Sequence, residues 1–405
     1  MKDKGIDIKI YNLFDEYRKV KNSVEFSVDD LKNELGKLVE KIVLYGAGSA
    51  GIAFLHYLQD VNIWPICFAD ANPEKWGRKC EGLQIIDYRT IPDVVGADAL
   101  VIICINTDGI KYCKSFDEAL RKGGHKGVHL QLRKCGCENI IDYTFFRRYR
   151  ELFHGDPYNL PSCSDVRLME KKESDIAKAY SVLADDESKE IYLKILRFRM
   201  IDDTIDIPTI AQDKQYFEYD FFEKSEEEGL VDCGAFNGIS LKAFLKEHNN
   251  VFKHYYGFEP DISNYKKLET YIEELPYDIS NKINIYNQAV FDKNSVQKMY
   301  SLEGPGSFLS ATGDTKIKTV MIDDVVDPEK VTYIKMNIEG AELKALEGAK
   351  KTIQLRTPNL AIAGYHKTWD LWEIPLLVHQ MYGGYRIYLR SYMKNLSFIY
   401  YVTAF

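Results

Sequence analysis

Twice in this chain a short β-rich run ends in a glycine turn and passes at once into a helical stretch. The first is Lys41–Tyr45, followed by Gly46-Ala47-Gly48-Ser49-Ala50-Gly51; the second is Leu230–Cys233, followed by Gly234-Ala235-Phe236-Asn237-Gly238. A strand that turns on glycine into a helix opens a βαβ unit, because parallel strands can be joined only through such a crossover. The chain therefore reads as α/β: two doubly wound, Rossmann-like domains, one for each turn. Its 405 residues are too many for one ordinary core and enough for two.

The apolar pattern divides the chain further. Residues 1–40 carry helical spacing, as at Leu31, Leu35, Leu38 and Val39, and are read as N-terminal helices. The first α/β domain is expected over 41–142, with a second strand at Ile63–Ala69 closed by Asp70 and a third at Ala99–Ile105. Residues 143–225 lose the strand pattern; Ile191, Ile195 and Phe198 fall on one helical face, and the stretch lacks the Gly, Ser or Pro of a flexible linker. It reads as a helical connector. Over 226–405 the alternation resumes, with strand-like runs at Leu230–Cys233, Tyr255–Phe258, Ile283–Tyr286, Tyr333–Ile338 and Leu360–Tyr365. Two closing runs, Tyr385–Arg390 and Phe398–Thr403, predict an antiparallel terminal hairpin beside five parallel strands.

Charge and composition exclude several classes. A formal net charge of -8 argues against a surface that tracks nucleic-acid phosphates, and the basic cluster Arg147-Arg148-Tyr149-Arg150 is short enough to be a solvated helix face. No run approaches the roughly 20 apolar residues of a membrane helix. Met1-Lys2-Asp3-Lys4 has no apolar stretch behind it, so no secretory leader is expected. Eight cysteines are scattered without a disulfide or zinc framework, Cys135-Gly136-Cys137 being the one close pair; free thiols in a reducing cytoplasm are the reading, with no metal-ligand set. The 28 Tyr and 20 Phe point to aromatic cores and an aromatic ligand cleft.

The strongest local signal is Asp232-x-Gly234-x-x-x-Gly238 at the end of a strand. Glycines there let the backbone turn sharply and approach a ligand closely, and the helix that follows offers N–H groups to an anionic ligand end. Asp232, Gly234, Ala235 and Gly238 are thus candidate cofactor residues. One strand later, in Gly257-Phe258-Glu259-Pro260, Glu259 is placed to accept both hydroxyls of a ribose, with Pro260 beside it. Ala289, in the loop after the third strand, falls where an adenine ring would lie. In the first domain Gly46-x-Gly48-x-x-Gly51 with Asp70 fits a dinucleotide fingerprint. That domain is about one mononucleotide-binding half and carries no Tyr-x-x-x-Lys pair. Its alternatives are a site for a nucleotide or nucleotide sugar and a module used for packing or substrate presentation.

Asp232-Cys233-Gly234-Ala235, Phe258-Glu259-Pro260, Gln288-Ala289-Val290, Ile322-Asp323-Asp324 and Lys335-Met336-Asn337-Ile338-Glu339-Gly340-Ala341-Glu342 together resemble the FkbM-type methyltransferases. Leu346-Glu347-Gly348-Ala349, Tyr365-His366-Lys367, Asp370-Leu371 and Ile374-Pro375 extend the resemblance, as do Leu183 to Ser188 and Tyr216-Phe217 upstream, so that it covers 180–405. It implies a class I methyltransferase fold in the C-terminal half, S-adenosyl-L-methionine as cofactor, and methyl transfer to a hydroxyl of a sugar or another small molecule. A glycan acceptor and a place in polysaccharide biosynthesis are implied with it, and neither nucleic acid nor membrane insertion. The chain departs from the family at Asn337, where Asp is usual, and at Ser391, where His is common in this branch.

A hydroxyl acceptor needs its proton removed as the new bond forms. His366 is the first candidate base: it follows the fifth strand, at the end of an open α/β sheet where ligand crevices form, and it titrates near neutrality. Lys335 and Glu339 flank the end of the fourth strand. Glu342, on the same helical face as Glu339, is equally well explained by the positive end of a helix. Tyr365 and Trp369 are candidates to stack against a sugar or to serve as core. Two other functions stay open: a nucleotide-dependent oxidoreductase or epimerase using residues 41–140, and a non-catalytic cofactor-binding scaffold suggested by Asn337.

Overall fold

The computed structural model describes residues 8–21, 27–105, 116–122, 126–143, 145–146, 149, 165–201, 215–217, 221, 224–300, 308–309, 313, 315–393 and 397–404. Arg147, Arg148 and Arg150 of the basic cluster lie outside them. The chain divides into two compact units, one of residues 8–173 and 194–206, the other of 1–7, 174–193 and 207–405.

The first unit holds a six-stranded sheet of β1 (Ile42–Tyr45), β2 (Cys67–Asp70), β3 (Lys79–Cys80), β4 (Leu83–Asp87), β5 (Leu100–Ile103) and β6 (Asn139–Asp142), in the order β3-β4-β2-β1-β5-β6. All neighbours run parallel except the hairpin β3–β4. Every residue of β1, β2 and β5 is buried, as in a sheet covered on both faces, and Val43, Ala69, Val101 and Ile103 share one core cluster. The second strand starts at Cys67, later than its apolar run suggests: Trp64 and Ile66 in that run are exposed, so part of it meets water. The strand β4, with its half-exposed Leu-Gln-Ile-Ile-Asp pattern, is not among the expected elements. The helix Ser49–Asp60 follows the glycine turn.

The second unit is built on a seven-stranded sheet. Its strands are β7 (Gly229–Cys233), β8 (His254–Phe258), β9 (Ile283–Tyr286), β14 (Tyr333–Met336), β15 (Asn359–Ala363), β16 (Arg386–Met393) and β17 (Ser397–Thr403), in the order β16-β17-β15-β14-β7-β8-β9. Five strands pair in parallel; β17 lies antiparallel to β15 and to β16, which gives the expected terminal hairpin at the edge. The order reverses around β7, between β8 and β14, and ligand crevices of open sheets form at such a switch point. Between β9 and β14 a separate four-stranded sheet, unexpected from the sequence, is made by β10 (Ala289–Val290), β11 (Ser295–Tyr300), β12 (Phe308–Leu309) and β13 (Thr315–Val320). Alternating runs such as Thr315–Val320 carry its period-two signal, but they are short and flanked by polar residues. Among the described residues no helix is long and apolar enough to cross a membrane.

Candidate active site

The glycine turn after β7 is fixed from below. Asp232, fully buried, accepts hydrogen bonds from Tyr255 Oη at 2.6 Å and from Ser240 Oγ, and its Oδ1 lies 2.8 Å from Lys335 Nζ. Lys335 reaches across from β14, only 3% exposed, and also donates to the carbonyls of Gly234 at 2.8 Å and Cys233 at 3.3 Å. All three ammonium protons therefore have acceptors at the foot of the turn. Gly234 has φ +82°, and a Cβ there would stand 2.3 Å from the backbone oxygen of Asn337, so β7 and β14 approach as closely as they do only because position 234 has no side chain. The N–H groups of Gly234 and Ala235 both donate to the carbonyl of Phe258, which ties the turn to the end of β8.

Glu259 completes the turn from the other side. Its Oε2 accepts the backbone N–H of Phe236 at 2.8 Å and its Oε1 that of Asp261 at 2.9 Å. Burial pushes its carboxyl up to about 7, against the pull of those two hydrogen bonds. Asn287 holds the same corner, donating to the carbonyls of Glu259 and Pro260.

These elements wall a cavity of about 680 Å³, within the usual size of a small-ligand site. Gly234, Glu259, Pro260, Ala289, Lys335 and Glu339 line it, together with Phe236, Asn337 and Tyr216. Asp232, Ala235 and Gly238 lie outside the lining, as supports of the turn. The small second sheet closes one side with Val290, Met299 and Leu309, residues whose part in a site only the packing of β10, β11 and β12 discloses. Asn337 is held between two tyrosines, donating to Tyr216 Oη at 2.8 Å and accepting from Tyr365 Oη at 3.3 Å.

His366 does not line the cavity; it stands behind Glu339. Its Nδ1 is 2.9 Å from Glu342 Oε1 and its Nε2 is 3.8 Å from Glu339 Oε1. Burial alone would lower the imidazole, but the carboxylates of Glu342 and Glu339 outweigh it and hold His366 up at about 9. Glu339 itself is raised by burial. The turn that presents Glu339 is tight: Glu339 has φ +55° and Gly340 φ +94°, and Glu342 Oε1 accepts the N–H of Ile338 at 2.8 Å. A Cβ on Gly340 would stand 2.4 Å from the Lys367 side chain. Trp369 is half-buried at the start of the helix Asp370–Met381, and Ser391 is buried on β16, its hydroxyl near the Ser397 carbonyl.

In the first unit Gly46, Gly48, Gly51 and Asp70 come together at the end of β1. Gly46 has φ +107°, and a Cβ on Gly51 would stand 2.0 Å from the Gly46 carbonyl. Asp70 Oδ2 accepts the N–H of Ala47 at 2.8 Å and pairs with Lys75 at 3.1 Å, while Oδ1 accepts from the N–H of Asn72.

A sheet with this strand order, a glycine turn after its central strand and an acidic residue closing the next has the Rossmann-like fold of class I methyltransferases. Residues 232–400 match the family model of the methyltransferase FkbM domain, and the C-terminal part of the chain is such a domain. The crystal structure of methyltransferase FkbM from Methylobacillus flagellatus KT aligns with 97% of this chain and 100% of its own, with a TM-score of 0.62 and 19% identity. The methyltransferase domain of bacterial CtHen1-C aligns with 44% of this chain and 90% of its own at a TM-score of 0.28 and 12% identity, a likeness that carries no inference. No curated protein matches the chain.

Proposed function

We propose that the C-terminal unit transfers the methyl group of S-adenosylmethionine to a hydroxyl of a sugar or glycan. The observation that carries this reading is the cavity between the Gly234 turn and Glu259, with bare backbone on one side and a carboxylate on the other. Those residues fit the cofactor: Gly234 and the first turn of the helix Ile239–Glu247 would meet its amino-acid end, Glu259 its ribose diol, and Pro260 with Ala289 its base. When bound, the cofactor supplies an electrophilic methyl on a sulfonium.

The chain's own residues then align, exclude water and accept a proton. Alignment alone is worth up to about 7–11 kcal/mol in favourable cases. Glu339, a carboxylate of the cavity wall away from the ribose site, takes the acceptor proton. His366 positions Glu339 from behind, while Lys335 pins the turn against Asp232. Asn337, where relatives usually carry Asp, keeps the Tyr216 and Tyr365 hydroxyls in place instead of adding a charge. On this reading the acceptor is a small molecule or glycan and the setting cytoplasmic. Calorimetry of the full chain with S-adenosylhomocysteine tests the cofactor, and release of S-adenosylhomocysteine with a panel of sugar acceptors tests the reaction. Tight cofactor binding without turnover on any sugar would leave a scaffold or another acceptor class; no binding would remove the reading.

A second ligand, a nucleotide or nucleotide sugar, is proposed for the first unit on the strength of Gly48. Its φ is -124°, which any residue adopts, and nothing described lies within 4 Å of where its Cβ would be. Neither backbone nor packing among the described residues demands a glycine there; close approach of a ligand would. Titration with NAD and with uridine-diphosphate sugars decides it, and silence from both would leave a packing module.

A further inference from the structure

The methyl-transfer reading leaves a buried group of ionisable side chains unexplained. Glu342 is fully buried at the start of its helix, Asp370 is 1% exposed at the start of the helix Asp370–Met381, and the His366 side chain is 8% exposed after β15. One donor atom from each of these three lies within 4.8 Å of the other two. Glu339 Oε1 stands 3.8 Å from His366 Nε2, the ring nitrogen opposite the one that faces Glu342.

Among the described residues, His366 Nε2 and Glu342 Oε2 are buried without a hydrogen-bond partner. An unsatisfied buried polar atom typically costs about 1–3 kcal/mol, so two in one cluster call for a ligand. The His366 ring is also set as a ligand should be. A cation on Nδ1, the nitrogen 2.9 Å from Glu342 Oε1, would leave Nε2–H facing Glu339 Oε1 at 3.8 Å, and metal-bound histidines are oriented by such a carboxylate on the other nitrogen. Charge points the same way: three carboxylates gather around one imidazole, with Lys367 as the nearby ammonium. Buried carboxylates are held by cations or by protons, and a divalent cation would take the place of the protons here.

We propose that His366 Nδ1, Glu342 and Asp370 form a binding site for one divalent cation behind the Glu339 wall of the cavity, with Glu339 orienting the ring from Nε2. One imidazole with carboxylates suits Mn2+ or Zn2+, whereas Ca2+ prefers oxygen alone and thiophilic ions prefer sulfur. Bonds of about 2.0–2.2 Å put ligand atoms roughly 3–4 Å apart, so the side chains need only small shifts to close on an ion. Because Glu339 lines the cavity and faces His366, the cation would fix the ring that holds the carboxylate bordering the space where an acceptor hydroxyl must sit. That use rests on the methyl-transfer reading; the binding itself does not.

The test is titration of the chelator-treated full chain with MnCl2, without cofactor, followed by calorimetry and by the loss of the free Mn2+ spin-resonance signal. Saturable binding is expected, with a rise in melting temperature, and His366→Gln and Glu339→Gln should each weaken it by about ten- to a hundredfold, the usual cost of a lost ligand or its orienting partner. Circular dichroism establishes that each variant is folded. A folded wild type that takes up neither Mn2+ nor Zn2+ at about 1 mM overturns the site, and so does affinity unchanged in both variants; protons then satisfy the carboxylates. Cofactor binding is measured separately, so a chain that binds Mn2+ but not S-adenosylhomocysteine keeps the site and loses the methyl-transfer reading.

Discussion

Lys335 Nζ and Asp232 Oδ1 lie 2.8 Å apart with almost no access to water. The ion pair joins β14 to β7 directly under the glycine turn, so its first consequence is mechanical. Lys335→Met would strand a buried carboxylate and should destabilise the unit by about 3–5 kcal/mol. Urea denaturation would register this, and adding Asp232→Asn should recover much of the loss. A single variant as stable as the parent would mean that the pair does not hold the turn.

Glu259 should make the two halves of a pH experiment run in opposite directions. Its folded carboxyl sits near 7, above the ordinary carboxylate range, because it is buried. The stability it contributes to the free protein is full below that ordinary range and is lost as pH rises through about 7. Cofactor affinity should do the reverse, since the ionised form grips the ribose diol with charge-assisted hydrogen bonds worth about 1.5–3 kcal/mol. Melting curves and calorimetry between about pH 6 and pH 8 would display both slopes, and Glu259→Gln should flatten them. Wild-type affinity that does not change over this range would exclude Glu259 from the ribose.

Gly234→Ala should damage fold and binding together. The left-handed backbone costs a non-glycine residue about 1–3 kcal/mol, and the new methyl would press on the Asn337 carbonyl. A lower melting temperature and a weaker S-adenosylhomocysteine affinity are both expected; an unchanged melting curve would show that the turn can open.

His366→Ala should lower turnover far more than it changes cofactor affinity, because His366 faces Glu339 and Glu342 and does not itself line the cavity. Steady-state kinetics beside a binding titration separates the two effects. Equal loss in both would assign His366 to the general architecture of the cavity.

The sequence by itself determined the βαβ alternation, the two glycine turns, the terminal hairpin, and the nearness of Gly234, Glu259 and Ala289. Those signals are local: a strand, a turn and a helix follow one another along the chain, and residues at the ends of adjacent parallel strands come to one edge of the sheet. Lys335 was legible as a residue of the site, but its pairing with Asp232, 103 positions away, was not, because a lysine reads the same whether it faces a substrate or a buried carboxylate. Nor could spacing disclose that Met299 and Leu309 close the cavity from a second sheet. The grouping of Glu342 and His366 was equally hidden: they belong to different elements and meet only when β14 and β15 pair and the loops above them pack. Contact between distant segments depends on register and burial, and those are set by the whole core.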